Sequence, residues 1–413
     1  MPTNPFLLEA AARGFIFQCT DLDALDAAMN AGTIAGYIGF DPTGDSLHVG
    51  HLFQIMMLRL LQRHGHRPVA VVGGGTAKIG DPSLREEARQ LMDEARIAAN
   101  VAGIRAGLER LLSFGDGPAD AMLVNNADWL DRLGYIELLR NVGPHFSVNR
   151  MLSFDSVKSR LDREQGLTFL EFNYSILQSY DFLELGRRHD VRLQMGGSDQ
   201  WGNIVSGVDL VRRLDQRQVF GLTTPLLTTA SGAKMGKTAS GAVWLSAEKL
   251  PVFEYWQFWR NTEDADVGRF LRLFTELPLD EIARLDALEG AGINEAKKVL
   301  ATEATALVHG RAAAQAAAET ARSVFEGGAA AGGLPEKRLA GGLPKDGLTV
   351  VRAFVEAGLA TSNGEARRLI RGGGARVNDA VVDDEAARLA STDWRDGTVK
   401  LSSGRKHHVL LRL

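Results

Sequence analysis

Short apolar segments that alternate with helical stretches constrain the fold of this chain more than any other feature. The segments with the length and apolar content of buried strands are 33–40, 68–76, 121–126, 191–197 and 219–228. Helical patterns lie between them, among them "LFQIMMLRLLQRHG" (52–65), "YIELLRNV" and "SILQSYDFLELGRRH". This alternation predicts βαβ units and an α/β fold with a parallel sheet, whose ligands bind at the carboxyl ends of the strands. Polar or Gly-rich residues follow Phe40, Val72 and Met195, so we expect a site at that edge.

The rest of the chain has a different composition and predicts further domains. Strand signals fade after about residue 246, and residues 293–325 read as helical throughout. The following "EGGAAAGGLPEKRLAGGLPKDG" has the Gly, Ala and Pro content of a flexible linker. We therefore predict four regions: a catalytic domain (1–230), a loop and α-helical domain (231–325), a flexible linker (326–346) and a small α+β domain (347–413).

Composition excludes several classes of protein. A single cysteine, Cys19, allows no intramolecular disulfide and no cysteine-based zinc site. The N-terminus has no basic head followed by an apolar run, and no run approaches the ~20 apolar residues of a membrane span, so we expect a cytoplasmic protein without a membrane partner. The net charge of the whole chain, -4, does not indicate a polyanionic partner such as a nucleic acid. Residues 361–413, however, carry ten basic and seven acidic residues, so this region has a local positive charge.

The segment "GYIGFDPTGDSLHVGHL" (36–52) places His48 and His51 three positions apart around Gly50. One alternative is a metal site, but two histidines alone are too few ligands to bind zinc stably. Another alternative is that both histidines pack in the core without a functional role. The pair follows a predicted strand and begins a predicted helix, where free N–H groups and the helix dipole attract anions. This position favours phosphate binding, with Asp45 and Ser46 as candidate helix caps.

A second segment, "SGAKMGKTASG" (231–241), places Lys234 and Lys237 in a stretch with little regular structure. Exposed lysines in a loop are common, so the segment alone is a weak signal. Together with the histidines it gains weight, because two cations on one loop would offset charge on a leaving pyrophosphate.

These segments carry a resemblance to a known family. "HVGH" resembles the HIGH signature of class I aminoacyl-tRNA synthetases, and "KMGKT" resembles their KMSKS loop. "YIGFDPTGDSLHVGHL", "TFLEFNYSILQSYDFLEL" and "LQMGGSDQWGNI" are more specific and resemble the bacterial tyrosyl-tRNA synthetase family. The order and spacing of the four segments fit that family over essentially the whole chain. The resemblance implies a Rossmann-like catalytic domain, an α-helical domain on the anticodon side and an RNA-binding C-terminal domain.

The resemblance also implies the reaction: tyrosine and ATP give tyrosyl-adenylate and pyrophosphate, and tyrosine then passes to the 3′ end of tRNA(Tyr). Mg²⁺ would accompany ATP without a dedicated metal site in the protein. Thr43 and His48 would bind the γ-phosphate end, while His51 and Gly50 lie against the nucleotide. The remaining residues expected to act on the phosphates are Lys234, Lys237, Thr238, Arg85 and Arg89.

Further positions would bind the amino acid and the nucleoside. Tyr37 and Asp181 would bind the phenol of the substrate, and Asp181 shares one helix face with Tyr174 and Gln178 at i, i+4 and i+7. The other implied contacts are the ammonium (Asp81, Tyr174, Gln178), the carboxylate (Gln200), the ribose (Gly197, Asp199) and the adenylate (Gly39, Asp41).

The C-terminal "EARRLIRGGGARVND" resembles a small RNA-binding module that a ribosomal protein shares with this synthetase group. A solvated basic face is the bland alternative. The RNA-binding interpretation rests on Arg367, Arg368, Arg371 and Arg376. Family members are homodimers, and residues 129–152 are a candidate interface stretch.

Two departures from the family pattern leave questions open. Lys78 stands where an apolar residue is usual, either close to the substrate carboxylate or facing solvent, and Gly236 replaces a serine in the loop. Two alternative functions also stand: a related enzyme for tryptophan, and an RNA-binding protein without catalysis. Tyr37 with Asp181 argues against the first, and the retained histidines and lysines argue against the second.

Overall fold

The computed structural model describes residues 2–81, 92–163, 166–232, 235–238, 241–325, 334–339, 343–344, 347–395, 397–404 and 407–413. The chain forms two compact units. The first contains Met1–Lys249 and Glu263–Ala296, and the second contains Leu250–Thr262 and Lys297–Leu413. No helix within these described ranges is long and apolar enough to cross a bilayer.

Within the described residues, the helices are α1 (Pro5–Arg13), α2 (Leu22–Ala31), α3 (Val49–Arg63), α4 (Glu94–Leu108), α5 (Ala127–Leu130), α6 (Tyr135–Asn141), α7 (Val148–Leu152), α8 (Asp155–Asp162), α9 (Phe169–Phe172), α10 (Tyr174–His189), α11 (Trp201–Asp215), α12 (Val252–Arg260), α13 (Val267–Phe274), α14 (Leu279–Asp286), α15 (Ile293–His309), α16 (Arg311–Phe325), α17 (Val350–Glu356) and α18 (Asn363–Arg371). The strands are β1 (Gln18–Cys19), β2 (Ala35–Phe40), β3 (Arg67–Val72), β4 (Met122–Asn125), β5 (Val191–Gly197), β6 (Phe220–Thr224), β7 (Lys237–Thr238), β8 (Gly241–Ala242), β9 (Glu336–Arg338), β10 (Ala375–Val377), β11 (Ala380–Val381), β12 (Thr398–Ser403) and β13 (His407–Arg412).

The first unit is built on a six-stranded sheet with the order β1-β6-β5-β2-β3-β4. Strands β2 to β6 run parallel, and β1 pairs antiparallel with β6 at one edge. From β2 the chain moves outward through β3 and β4, and then returns to the other side of β2 as β5. The strand order therefore reverses between β2 and β5, which is where open α/β sheets bind ligands.

Apolar residues on both faces of the sheet explain why it is buried. All residues of β6 and all but the first of β3 are buried, as expected for parallel strands covered by helices on both faces. On one face, Tyr37, Val69 and Val71 share a core with Phe182 of α10. The sheet thus fixes the positions of α3 and α10, which carry Gly50, His51, Tyr174, Gln178 and Asp181 of the predicted site.

The elements predicted from sequence around the site are confirmed as β2, α3, β3, β4, α10, β5 and β6. The region predicted as continuously helical, 293–325, is instead two helices, α15 and α16. Gly310 separates them with φ of +87°, a left-handed conformation that ends a helix and that glycine adopts without strain.

The second unit contains α12, most of α15, α16 and a small C-terminal α+β fold. That fold has a five-stranded sheet with the order β11-β10-β12-β13-β9, and Phe354 and Ile370 belong to the core shared by its helices and sheet. Part of the predicted linker differs from expectation, because Glu336–Arg338 form β9 and pair in parallel with β13. Residues 326–333, 340–342 and 345–346 of that linker lie outside the described residues.

Candidate active site

A cleft of about 650 Å³ opens at the point where the strand order reverses. It lies at the carboxyl ends of β2 and β5, the edge that the sequence predicted. The predicted site residues that line it are Tyr37, Gly39, Asp41, Thr43, His48, Gly50, His51, Asp81, Tyr174, Gln178, Asp181, Gly197, Asp199 and Gln200. Segments separated by up to about 160 residues in the chain therefore form one continuous surface.

Two buried side chains, Tyr37 from β2 and Asp181 from α10, lie at one end of the cleft. The Tyr37 hydroxyl is buried and has no hydrogen-bond partner among the residues that the structure describes. Burial, and then the nearby charge of Asp181, raises the pKa of Tyr37 well above its usual value. Burial also raises the pKa of Asp181 to about 7. The hydroxyl and the carboxyl together can exchange hydrogen bonds with a phenol.

Residues that the sequence did not predict orient Asp181. Asn126 Nδ2 donates to Asp181 Oδ2 at 2.9 Å, and Trp129 Nε1 donates to Asp181 Oδ1 at 2.7 Å. Asn126 also donates to the Thr76 hydroxyl at 3.0 Å, which in turn donates to Asp41 at 3.2 Å. Asn126 directly follows β4 at the carboxyl edge of the sheet, a position that could have marked it as a candidate.

A chain of polar contacts occupies the next part of the cleft. Asn203 Nδ2 donates to both Gln178 and Gln200 at 3.1 Å. Gln200 Nε2 donates to Asp81 at 2.9 Å and to Asp199 at 3.1 Å. This network joins two carboxylates and three amide side chains beside one part of the cleft, which suits a ligand that carries both an ammonium and a carboxylate.

The two histidines begin α3, as predicted, but they also cap it. His48 Nδ1 accepts the Gly50 N–H at 3.0 Å, and His51 Nδ1 accepts the His48 N–H at 3.1 Å. The sequence suggested Asp45 and Ser46 as caps, and this was wrong, because His48 itself is the N-cap residue. Each Nδ1 accepts a backbone proton, so the neutral tautomer of each ring carries its proton on Nε2 as a donor.

Burial, and then the neighbouring His48, lowers the pKa of His51 to about 3. His51 is therefore neutral at physiological pH and offers a hydrogen bond rather than a positive charge. The two imidazole rings lie 3.9 Å apart between centroids. A Cβ atom on Gly50 would lie 2.8 Å from His48 Cε1, so glycine leaves the space that the capping ring occupies.

Backbone hydrogen bonds join the start of α3, which contains "HVGH", to the residues that follow the "KMGKT" segment. Val49 N–H donates to Val243 O, and Leu245 N–H donates to Leu47 O, both at 2.9 Å. Gly236 lies against the start of α3, since a Cβ atom there would be 3.1 Å from the Gly50 nitrogen. Its φ of +84° is a conformation that favours glycine over serine.

The remaining predicted phosphate-binding residues lie wholly or partly outside the described residues. Lys234, Arg85 and Arg89 lie outside the described residues. For Lys237 and Thr238 the backbone is described, as β7, and their side chains lie outside the description.

Lys78 is described and is not part of the cleft lining. Its Nζ lies 2.9 Å from Asp131 and 3.5 Å from Glu94. The sequence left open whether Lys78 lies near the substrate carboxylate or faces solvent, and the structure favours a lysine that forms ion pairs at the surface. These partners raise the pKa of Lys78, and the hydrogen bond to Asp131 is the largest cause.

The four predicted RNA-binding arginines lie in the C-terminal fold of the second unit. Arg367, Arg368 and Arg371 are exposed on α18, as predicted, and Arg376 is half-buried on β10. Arg371 and Arg367 lie 2.7 and 3.7 Å from Glu385.

Among the described residues, no cluster of three or more His, Cys, Asp or Glu side chains could hold a metal ion.

A helix that begins at the reversal point of a parallel sheet, with Gly50 and His51 of its first turn lining a cleft, defines the class: an α/β enzyme with a Rossmann-like nucleotide-binding fold. The family profile described as "tRNA synthetases class I (W and Y)" matches residues 29–326, and the chain belongs to this family.

Relatives that match the chain from end to end indicate which branch of this family the chain is similar to. The chain is 68% identical to the tyrosine–tRNA ligase of Gluconobacter oxydans, over 100% of both chains. It is 62% identical to that of Rhodospirillum rubrum, over 100% of this chain and 99% of the relative. A truncated mitochondrial tyrosyl-tRNA synthetase from Coccidioides posadasii superimposes with a TM-score of 0.67 at 34% identity, covering 77% of this chain and 92% of that one.

Proposed function

We propose that this chain is a tyrosine–tRNA ligase that activates L-tyrosine with ATP and transfers it to the 3′ end of tRNA(Tyr). The single observation that carries the choice of amino acid is the buried pair of Tyr37 and Asp181 at one end of the cleft. The activity itself is supported by relatives of this name that match the chain from end to end.

Selection of tyrosine follows from the buried polar pair. The phenol of the substrate donates to Asp181 and accepts from the Tyr37 hydroxyl, which has no other partner among the described residues. Asn126 and Trp129 hold the carboxyl so that it can meet the ligand. Phenylalanine would leave these buried groups unpaired, and tyrosine-specific synthetases are the standard illustration of this rule. The larger indole of tryptophan has no hydroxyl for the pair.

The polar network next to this pair binds the amino acid backbone. Asp81, Tyr174 and Gln178 surround the ammonium, and Gln200 lies near the carboxylate. The bonds among these residues in the structure, such as Gln200 to Asp81 at 2.9 Å, preorganise the site, and the substrate replaces part of them.

The tyrosine carboxylate attacks the α-phosphate of ATP, and pyrophosphate leaves with both electrons of the broken P–O bond. Gly39, Asp41, Gly50, Gly197 and Asp199 bind the adenylate portion. His48 and His51 donate hydrogen bonds from Nε2 at the positive end of the α3 dipole, with Thr43 nearby on the γ-phosphate side.

His51 is a hydrogen-bond donor without full charge, so cations must offset the charge of the leaving pyrophosphate. This is the role of Lys234, Lys237, Arg85 and Arg89, with Thr238 as a supporting hydroxyl. Mg²⁺ bound to the ATP phosphates supplies further charge neutralisation.

The C-terminal fold binds tRNA(Tyr) through Arg367, Arg368, Arg371 and Arg376. Exposed arginines on one short helix can contact the phosphate backbone. Replacing Arg367 and Arg368 by glutamate should raise the KM for tRNA and flatten its dependence on salt. Formation of tyrosyl-adenylate should not change, which separates tRNA binding from catalysis.

A homodimer is supported by exposed apolar side chains on α6 and α7. α6 buries none of its residues, and Ile136 is 73% exposed. The exposed apolar side chains of this surface are Tyr135, Ile136, Leu139, Val148 and Leu152. Large apolar side chains exposed on two helices that follow each other in the chain favour an interaction site there. The test is analytical sedimentation of Ile136→Asp and of Leu8→Asp, a control that makes the same kind of change at an exposed position of α1. We expect a monomer for Ile136→Asp and a dimer for Leu8→Asp.

Tyrosine-dependent exchange of radiolabelled pyrophosphate into ATP tests the proposed activation step. We expect exchange with tyrosine, and far less with tryptophan or phenylalanine. Better exchange with tryptophan would favour the related enzyme, and no exchange with any amino acid would favour an RNA-binding protein without catalysis. Either result would refute the proposal.

A further inference from the structure

A buried carboxylate outside the cleft binds the segment that leads into the lysine-bearing loop. Asp266 is 2% exposed and directly precedes α13. Its Oδ2 accepts the Ala230 N–H at 2.8 Å, and its Oδ1 accepts from Arg269 Nη2 at 2.8 Å. The same Arg269 nitrogen donates to the backbone carbonyl of Thr228. One side-chain pair therefore binds a backbone donor and a backbone acceptor of the same short segment.

This segment, residues 228–232, is called the loop stem below. Thr228 and Gly232 of the stem line the cleft, and Lys234 follows two positions later in the sequence. Ser231 Oγ donates to Glu263 at 3.2 Å, a further bond from the stem to the residues before α13. The stem is therefore held from one side along most of its length.

The element that holds the stem is itself fixed to the helix that His48 caps. The rings of Phe53 on α3 and Phe274 on α13 lie 6.2 Å apart between centroids. Arg59 on α3 donates to both carboxylate oxygens of Glu276, at 2.7 and 2.9 Å. α13 thus connects the loop stem to the helix that presents the histidines.

The burial of Asp266 needs a reason, because a buried carboxylate is costly unless it is paired and fully hydrogen-bonded. If the residue at position 266 only had to pack between α13 and the loop stem, an apolar side chain would serve. A carboxylate with one oxygen on Ala230 and the other on Arg269 instead fixes the direction of the backbone, since hydrogen bonds to an ionised acceptor are short and directional.

We propose that Asp266 is a positioning residue for formation of the adenylate. Through Ala230, and with Arg269 through Thr228, it holds the loop stem in register with the start of α3. Because Lys234 follows the loop stem in the sequence, the position of the stem limits where the lysine-bearing segment can lie. This inference rests on the proposed function, because it assigns Asp266 to the pyrophosphate side of that reaction and not to the tyrosine side.

The test compares Asp266→Ala and Asp266→Asn with a matched control, Asp286→Asn, in the full-length chain. Asp286 is also an aspartate paired with an arginine of α13, Arg272, and it makes no contact with the loop stem. Tyrosine binding is measured by equilibrium dialysis without ATP. The kcat of tyrosine-dependent pyrophosphate exchange and the KM for pyrophosphate are then measured for each variant.

For Asp266→Ala we expect kcat to fall on the order of tenfold to a hundredfold, the effect of misplacing a group by about 1 Å. The KM for pyrophosphate should rise, while the Kd for tyrosine stays within about twofold. Asp266→Asn should show the same pattern more weakly, because its amide oxygen can still accept from Ala230 while its NH₂ faces Arg269. The control should match the wild type.

Two results would overturn the inference. In the first, both Asp266 variants exchange pyrophosphate at the wild-type rate with an unchanged KM. In the second, tyrosine affinity falls as much as exchange does, which means that Asp266 only maintains the fold. If Asp266→Ala does not fold, the isosteric Asp266→Asn decides between these outcomes. Failure of the proposed function is recognised separately, since the wild-type chain would then show no tyrosine-dependent exchange.

Discussion

The substitution Tyr37→Phe removes one buried oxygen, and the structure predicts opposite effects on stability and on substrate selection. The Tyr37 hydroxyl has no hydrogen-bond partner within the described part of the chain. An unsatisfied buried polar group costs about 1–3 kcal/mol, so its removal should stabilise the free protein, by about 1 kcal/mol after the small void is counted. The same substitution deletes a hydrogen bond to the substrate phenol.

A hydrogen bond of this kind contributes about 0.5–1.5 kcal/mol net, which corresponds to a loss of about twofold to tenfold in tyrosine affinity. Phenylalanine gains no bond from the Tyr37 hydroxyl, so the preference for tyrosine over phenylalanine should fall by a similar factor. The assay is pyrophosphate exchange with each amino acid, together with urea denaturation of the free protein.

Tyr180→Phe is a matched control on α10. The Tyr180 side chain is half-buried and does not line the cleft, so loss of its hydroxyl should leave tyrosine affinity unchanged and should not stabilise the protein. The reasoning is refuted if Tyr37→Phe lowers stability and leaves the tyrosine-to-phenylalanine ratio as in the wild type. The hydroxyl would then be satisfied within the free protein and would not face the substrate.

Three further substitutions test other parts of the site. Asp181→Asn should abolish tyrosine selection in pyrophosphate exchange yet stabilise the free protein at pH 8, as urea denaturation would measure. Because burial raises the pKa of Asp181 from 3.8 to about 7, the folded state binds more protons than the unfolded state between these values. Wild-type stability therefore falls relative to the variant as pH rises through that window, by at most about 4 kcal/mol, and a pH-independent difference would contradict the assignment. Gly50→Ala should cost about 1 kcal/mol of stability and slow adenylate formation at least about tenfold, because a Cβ atom would lie 2.8 Å from His48 Cε1 and displace the cap. Normal single-turnover rates would exclude that role for the cap. Lys78→Ala should change kcat/KM for tyrosine less than about twofold, because Lys78 pairs with Asp131 and Glu94 at the surface, and a large loss would return it to the substrate carboxylate.

Much of the fold could be predicted because its signals are local. Strand and helix periods, the Gly-rich ends of strands and the histidine pair at a helix start can each be recognised within about ten residues. The errors come from competition between local options. Asp45 and Ser46 are ordinary capping residues, yet the backbone turns one position before Val49 and the His48 ring takes the cap. Residues 336–338 lie in a segment whose Gly, Ala and Pro content predicts a linker, yet pairing with β13 makes them a strand.

The sequence by itself determined the α/β class and the edge of the sheet that holds the site, and through the family resemblance it indicated many of the residues that line the cleft. Side-chain partners between distant segments required the tertiary structure. Asn126 and Trp129 on Asp181, Val243 on Val49 and Asp266 on Ala230 are contacts between residues 36 to 194 positions apart. The physical reason is that such a bond depends on the direction and depth of each side chain, and these follow from how helices pack on the sheet rather than from any local pattern.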